Sequence, residues 1–157
     1  MSLEIDIAGF GALGIAHLVL DFNGTLAVDG RLLTGVKPRL AKLARLLRIH
    51  VVTADTFGKA RASLRGVDCS LEILRLGGED RAKARYVHRL GASAVVCIGN
   101  GRNDRLMLRA AALGIATVQR EGAAAETLAA ADVVVHDVRD ALDLLLAPRR
   151  LVATLRS

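Results

Sequence analysis

Short apolar runs alternate along the chain with amphipathic segments of helical period. Residues 18–22, 49–53 and 94–98 form nearly continuous apolar runs, which is typical of parallel strands buried on both faces. Residues 36–47 and 80–90 instead carry apolar side chains three or four positions apart, as one face of a helix does. This alternation predicts an α/β fold with a mainly parallel sheet.

The same criteria predict the remaining elements. Weaker strand patterns are found at residues 3–7, 71–76, 115–118 and 133–135. Helical patterns are found at residues 58–64, 103–112, 123–130, 138–146 and in the last nine residues. Gly91 and Gly114 are expected to end the helices that precede them. No repeat or change of composition divides the chain, so we expect one domain over residues 1–157.

A glycine-rich segment near the start of the chain formally matches a dinucleotide-binding fingerprint. The segment Gly9-Phe10-Gly11-Ala12-Leu13-Gly14 follows a predicted strand. That fingerprint requires a helix to begin at the glycines. Only six residues separate Gly14 from Asp21, and they include a strand. We therefore interpret the segment as the turn of an N-terminal β-hairpin.

Composition and charge narrow the classes of function. The chain has 157 residues, of which 52% are hydrophobic and 3% aromatic, with no tryptophan. Readers of single-stranded nucleic acid need aromatic stacking platforms, so this composition argues against that class. The net charge of +6 could attract anions, but its basic residues are dispersed along the chain. We do not expect nucleic-acid binding on that evidence alone.

No segment of the sequence has the features of a membrane or export signal. The longest uncharged stretch, residues 7–20, has 14 residues and is too short to span a bilayer. Glu4 and Asp6 lie where a signal peptide carries positive charge. Cys69 and Cys97 have no metal-binding spacing and indicate a reducing environment. We expect a cytoplasmic protein with no membrane partner.

Polar side chains follow several strands of the predicted sheet. Asp21 and Thr53 lie at the ends of two strands, and Asp104 lies in a loop after a third. Lys83 lies on the helix after residues 71–76. Ligands of open parallel sheets bind at the carboxyl ends of the strands. Two acids, a hydroxyl and an ammonium group at one such edge predict a site for a phosphate and a divalent cation.

Six motifs in this order resemble the haloacid dehalogenase (HAD) superfamily and, within it, the phosphorylation domain of P-type ATPases. They are Asp21-Phe22-Asn23-Gly24-Thr25-Leu26, Thr53-Ala54-Asp55, Lys83 with Val87 and Leu90, Gly99 to Asp104, Gly114-Ile115-Ala116, and Ala131 to Val134. The resemblance covers residues 18–135 and implies a three-layer Rossmann-like core. It is most similar to the small proteins related to those ATPases.

The intervals between the motifs are short. Asp21 and Thr53 are 32 positions apart, and Thr53 and Lys83 are 30 apart. Neither interval can hold a cap domain or the nucleotide-binding insertion of a pump. An uncapped site implies either a large substrate or a homo-oligomer whose neighbouring subunit covers the cleft, and we expect a homo-oligomer.

The resemblance also implies a role for each site residue. Asp21 would attack phosphorus and form an aspartyl-phosphate, with Asn23, Thr53 and Lys83 as the other catalytic residues. The phosphate would contact Gly24, Thr25, Thr53, Ala54, Lys83 and Asn103. Mg²⁺ would be held by Asp21, Asn23, Asn100 and Asp104.

Two positions depart from the family pattern. Asn23 replaces the aspartate that protonates the leaving group and then activates water, and Asn100 replaces a metal-binding aspartate. We therefore predict a slow phosphohydrolase or phosphotransferase. A degenerate module that binds a phosphorylated ligand or partner in a regulatory role remains the alternative. Both asparagines precede glycine, so deamidation to the missing acids is a third possibility. The sequence does not specify the substrate.

Overall fold

A computed structural model of the chain describes residues 1–55 and 58–157. Ten strands are present in that part of the chain. They are β1 (Leu3–Ile7), β2 (Gly11–Ile15), β3 (His17–Leu20), β4 (Ala27–Val28), β5 (Arg31–Leu32), β6 (Arg48–Thr53), β7 (Ser70–Ile73), β8 (Val95–Gly99), β9 (Leu113–Thr117) and β10 (Val133–Val135). Six of them form a parallel sheet in the order β10-β9-β8-β3-β6-β7. The predicted α/β class with a mainly parallel sheet is confirmed.

Helices cover both faces of this sheet. They are α1 (Val36–Leu43), α2 (Ala60–Ser63), α3 (Glu79–Leu90), α4 (Arg105–Ala110), α5 (Ala125–Ala130), α6 (Val138–Leu146) and α7 (Pro148–Leu155). Alternate side chains of each central strand enter two different hydrophobic clusters. In β3, Leu18 and Leu20 pack with α1 and α6, whereas Val19 packs with α3 and α4. This burial on both faces is why the strand sequences read as continuous apolar runs.

The N-terminal glycine-rich segment belongs to a β-hairpin. Strands β1 and β2 pair antiparallel, with Leu3 opposite Ile15. Gly11 and Gly14 lie within β2, so no helix begins at them. Ile5 and Ile7 are buried in the cluster that contains α1 and α6. The hairpin prediction is confirmed, and the hairpin forms a two-stranded sheet of its own.

The structure differs from the sequence predictions most clearly at three places. The helix expected at residues 36–47 ends at Leu43. The hairpin of β4 and β5 was missed because its two-residue strands are too short to show a period. Gly114 lies inside β9 and does not end a helix, since α4 ends at Ala110. A Cβ atom at Gly114 would lie 2.6 Å from the Leu108 carbonyl oxygen, so glycine lets α4 pack closely against β9.

The segments between the motif residues contain only short elements. Strands β4 and β5 and helix α1 lie between Asp21 and Thr53, and α2 and β7 lie between Thr53 and Lys83. Within the described ranges there is therefore no cap domain, as predicted. None of the helices in those ranges is long and apolar enough to cross a membrane.

Two histidines and a tyrosine form a hydrogen-bonded chain away from the motif residues. His17 Nδ1 lies 3.0 Å from His50 Nε2, and His50 Nδ1 lies 2.9 Å from the Tyr86 hydroxyl. His50 is buried. Burial, and then the charges of His17 and Arg48, lower the pKa of His50 to about 4. The fold therefore favours neutral His50.

We predict that the hydrogen-bonded group of His17, His50 and Tyr86 makes the protein less stable in acid. Unfolded His50 takes up its proton near pH 6.5, whereas folded His50 does so only near pH 4. The contribution of neutral His50 to the free energy of unfolding is therefore fully present above pH 6.5, and it is lost as the pH falls toward 4. The loss between pH 7 and pH 5 should reach at most about 2 kcal/mol.

Urea unfolding at pH 7 and at pH 5 tests this prediction. The difference between the two free energies of unfolding should shrink in His50→Val. It should persist in His88→Gln, which removes an exposed histidine of α3. A full pH dependence in His50→Val would show that other groups cause the loss.

Candidate functional site

The motif residues meet at the carboxyl ends of the central strands. Strand β3 lies between β8 and β6, and Asp21 follows β3 directly. Thr53 ends β6 on one side, and Asn100 follows β8 on the other. The chain continues from β3 to β6 and β7, and then crosses to β8 on the opposite side of β3. Such a reversal opens a crevice at the carboxyl edge, which is where ligands bind in this class of sheet.

A buried ammonium group joins the two acids of the site. Lys83, on α3, is 1% exposed, and its Nζ donates to Asp21 Oδ1 and to Asp104 Oδ1 at 2.7 Å each. Asp21 and Asp104 are 6% and 0% exposed. Buried charges require partners of this kind. With one cation between two anions, this group carries a net charge of −1 when all three are ionised.

The loop after β8 is organised around Asp104. The backbone N–H groups of Asn100 and Gly101 both donate to Asp104 Oδ2, at 2.9 Å each. A Cβ atom on Gly99 would lie 2.5 Å from Asp104 Cγ, so only glycine allows this approach. Thr127 of α5 supports the loop by donating its hydroxyl to the Gly101 carbonyl at 2.7 Å. All polar atoms of the Asp104 carboxylate thus have partners inside the protein.

The nucleophile loop packs directly against the loop after β8. Gly24 has a φ of +81°, and a Cβ atom there would lie 2.4 Å from the Asn100 side-chain amide. The Thr25 hydroxyl lies 3.3 Å from Asp21 Oδ2 and 3.2 Å from Asn100 Oδ1. Its single proton can serve only one of these acceptors fully. Glycine at position 24 therefore leaves space for the Asn100 side chain, and the Thr25 hydroxyl lies between that side chain and Asp21.

A small polar cavity opens beside Asp21. Its volume is about 150 Å³, and it is lined by Asp21, Asn23, Thr53, Ala54, Asn100, Gly101 and Asn103. Thr53 Oγ1 accepts the backbone N–H of Asp55 at 3.0 Å, so its hydroxyl proton can be donated to a ligand. Lys83, Asp104, Gly24 and Thr25 are buried and lie outside this lining. The structure thus brings the predicted residues together, in a lining layer and a supporting layer.

Burial changes the acidity of the paired groups. It raises the pKa of Asp21 to about 6; repulsion by Asp104 acts in the same direction, and Lys83 opposes both. Burial disfavours the charged form of Lys83, but attraction by Asp104 and Asp21 outweighs it and raises the pKa of Lys83. Lys83 therefore stays protonated, and it acts here as a fixed cation.

The oxygen atoms around the cavity fit a divalent cation of the Mg²⁺ type, although weakly. The Asn23 side-chain oxygen is buried without a hydrogen-bond partner, and a hard cation would satisfy it. Asp21 and Asn100 line the same cavity and would supply further oxygen ligands. The described residues contain no group of three or more acids, histidines or cysteines placed to hold a metal. Both Asp104 oxygens already have partners, so we expect low affinity.

Gln119 belongs to the site and was missed by the sequence prediction. Its Nε2 donates to the carbonyls of Gly24 and Thr25, at 3.1 and 2.8 Å. Its Oε1 accepts the backbone N–H of Val138 at 2.8 Å. Gln119 thus joins the nucleophile loop to the start of α6. It comes two residues after β9, so the rule that finds polar groups at strand ends could have identified it.

The structure disfavours deamidation of the two asparagines. Deamidation requires the following backbone nitrogen to attack the side-chain amide. The Gly24 N–H donates to the Ala27 carbonyl at 2.7 Å, and the Gly101 N–H donates to Asp104. Both nitrogens are therefore held in hydrogen bonds, and we expect Asn23 and Asn100 to persist in the folded protein.

Two archaeal proteins are similar to the chain, both from Methanocaldococcus jannaschii. The uncharacterized protein MJ0073 is 43% identical over 86 residues, which are 52% of this chain and 92% of that protein. The uncharacterized protein MJ0072 is 46% identical over 39 residues, which are 25% of this chain and 89% of that protein. No family model matches the chain.

Solved structures with a similar fold include phosphatases of the HAD type. One is the 3-deoxy-D-manno-octulosonate 8-phosphate phosphatase of Moraxella catarrhalis, solved with magnesium, phosphate and the sugar acid. Its TM-score is 0.70 at 17% identity, over 90% of this chain and 94% of that one. The cobalt-bound phosphatase of Haemophilus influenzae also scores 0.70, at 14% identity, over 91% and 94% of the chains. At such low identities the TM-scores establish the fold alone, which is the HAD-type Rossmann-like core.

We predict that Lys83→Met destabilises the protein by about 3–5 kcal/mol, because it leaves two carboxylates buried without a counter-ion. Lys42→Met, which replaces an exposed lysine of α1, should change the free energy of unfolding by less than about 0.5 kcal/mol. Urea unfolding measures both.

The double variant Lys83→Met/Asp104→Asn separates loss of charge pairing from loss of packing. Removing one of the two orphaned charges should recover part of the lost stability. If the double variant is as unstable as the sum of its single variants, the ion group does not account for the effect.

Proposed function

The chain belongs to the same protein family as MJ0073 and MJ0072, and from that premise and its HAD-type fold we propose a Mg²⁺-dependent phosphohydrolase or phosphotransferase. The observation that carries the proposal is the buried group of Asp21, Lys83 and Asp104 beside a polar cavity at the crevice of the sheet. A buried, paired carboxylate with one face on a cavity is suited to nucleophilic attack.

The reaction we propose has two steps at Asp21. One carboxylate oxygen attacks phosphorus as the bond to the leaving oxygen breaks, and the leaving group keeps the electron pair. Water then attacks the aspartyl-phosphate, and inorganic phosphate and a proton are released. Thr53 and Asn103 face the cavity and would donate hydrogen bonds to phosphoryl oxygens. Positioning and electrostatics supply most of the catalysis in such transfers.

The cation would reduce repulsion between the incoming phosphate and Asp21. The residues that would hold it are Asp21, Asn23 and Asn100, with Asp104 behind them. With Lys83 protonated, the group of Asp21, Lys83 and Asp104 has a net charge of −1. This charge attracts a divalent cation only weakly. Asn100 in place of an acid lowers that attraction further.

Asn23 limits the rate of both steps in this proposal. Its amide cannot protonate a leaving group or accept a proton from water. Such proton transfer typically contributes about 10²–10⁴-fold. Leaving groups that are stable as anions should therefore react in the first step, and the aspartyl-phosphate should accumulate before the second. A persistent aspartyl-phosphate also agrees with the P-type ATPase motifs, which remain a resemblance of sequence.

Binding without turnover is the second candidate function. The unpartnered Asn23 oxygen and the engaged Asp104 carboxylate would suit a module that holds a phosphorylated ligand in a regulatory role. Such a module would bind phosphate without forming a bond to Asp21.

We predict that beryllium fluoride with Mg²⁺ forms a stable adduct on Asp21. Protein-bound fluorine resonances in ¹⁹F NMR and an increase in Tm should report it. Asp21→Asn should give neither signal, whereas Asp29→Asn, at an exposed carboxylate of the β4–β5 hairpin, should give both. Binding of inorganic phosphate with no adduct in the unaltered protein would favour the regulatory module instead.

We predict that Asn23→Asp raises the steady-state hydrolysis of 4-nitrophenyl phosphate by about 10²–10⁴-fold. The unaltered protein should release about one nitrophenol per chain in a burst before the slow phase, and Asn23→Asp should remove the burst. Asn103→Asp adds the same charge to the cavity wall and should not accelerate turnover. Equal acceleration by both variants would contradict the role of position 23.

A further inference from the structure

A second, larger cavity lies at the same edge of the sheet. Its volume is about 440 Å³, which is within the range of small-molecule sites. Arg31, Lys59 and Arg120 line it, together with Asp29 and several apolar residues of the β4–β5 hairpin. We call this cavity the basic pocket. Its ionisable lining carries a net charge of +2, from three cations and one acid.

The three cations come from separate segments that also build the nucleophile site. Arg31 lies on β5, in the hairpin that directly follows the nucleophile loop. Lys59 follows Thr53 by six positions, and its backbone N–H donates to Asp55 at 3.0 Å. Arg120 is adjacent to Gln119, whose side chain donates to Gly24 and Thr25. The basic pocket and the cavity at Asp21 therefore share their supporting loops.

The cations of the basic pocket are available to a ligand. Within the described ranges, the side chains of Arg31, Lys59 and Arg120 form no ion pair or hydrogen bond with the protein. Arg139, in a neighbouring cavity that also contains Arg120, is instead paired with Asp137. Three unpaired cations around one concave space favour an anion there, since an anion between them is attracted by all three.

We propose that the basic pocket binds a second anionic group on the leaving group of the substrate, a carboxylate or a second phosphate. The proposal rests on the proposed function, because it places the transferring phosphate at Asp21. It names the substrate class as phosphate monoesters with a second anion. The hairpin and Arg120, which follows β9, line this cavity, and its volume leaves room for the leaving group of a small metabolite.

Matched pairs of phosphates test the proposal by binding. Glycerol 3-phosphate and 3-phosphoglycerate differ by a carboxylate, and fructose 6-phosphate and fructose 1,6-bisphosphate differ by a phosphate. Dissociation constants are measured by calorimetry with Mg²⁺ on Asp21→Asn, which lacks the nucleophile and therefore does not turn the ligands over. We expect the anion-bearing member of at least one pair to bind about tenfold more tightly. The pair that shows it identifies the second anion.

Substitution of the cations then assigns the effect to the basic pocket. Arg31→Gln, Lys59→Gln and Arg120→Gln, each added to Asp21→Asn, should bring the ratio of the two dissociation constants toward one. Arg109→Gln removes an exposed arginine of α4 outside the pocket and should leave the ratio unchanged. The ratio should also fall as salt is raised, because exposed charges are screened.

The outcomes separate this proposal from the proposed function. Equal binding within both pairs, or a ratio that survives all three substitutions, overturns the basic pocket, while the beryllium fluoride adduct at Asp21 would still stand. Absence of binding by all four phosphates also overturns the basic pocket, and the beryllium fluoride adduct at Asp21 then decides the proposed function separately. Preferential binding without any adduct would support the pocket and leave Asp21 without its nucleophilic role.

Discussion

The ammonium group of Lys83, between Asp21 and Asp104, is the interaction on which the candidate site depends. Without it two carboxylates would be buried within reach of one another, which would cost several kcal/mol. Lys83 donates to one oxygen of each acid. The other oxygen of Asp104 accepts two backbone N–H groups of the loop after β8, and Asp21 keeps its other oxygen near the cavity. The position of the nucleophile and the shape of the loop that faces it thus depend on one buried cation.

The sequence predicted where the site would form, because parallel strands place their carboxyl ends at one edge. Asp21, Thr53 and Asn100 could be assigned to that edge from apolar runs alone. Which residues line the cavity and which support it from behind could not be predicted. That division depends on the contacts of Lys83 and on the close approach of Gly24 to Asn100. Close approach also explains Gly114: the residue resembles a helix stop, but it faces the backbone of α4. Such contacts join residues distant in sequence and leave no period.

Local signals were present for some of the features that the prediction missed. Asp29-Gly30 is a typical hairpin dipeptide, and it lies between β4 and β5. Gln119 and Arg120 follow a strand that the prediction had placed within one or two residues. What the sequence could not show is that these two segments enclose one cavity. Their convergence depends on the order of the strands, which brings β9 toward the nucleophile loop only through β8.

Asparagine at position 23 and the cations of the basic pocket affect different quantities. The first affects the rate of reaction, and the second affect the binding of the substrate. Asn23 cannot transfer a proton to a leaving group or take one from water. The rate is therefore limited in bond breaking and in hydrolysis of the aspartyl-phosphate. Cations in the basic pocket do not replace that proton, because the proposal places them on the second anion and not on the leaving oxygen. Their attraction acts on a second anion already in contact with them, in the ground state and the transition state alike. Uniform binding of this kind lowers KM and leaves kcat unchanged. Substrate selection would therefore rest with Arg31, Lys59 and Arg120, and the rate with position 23.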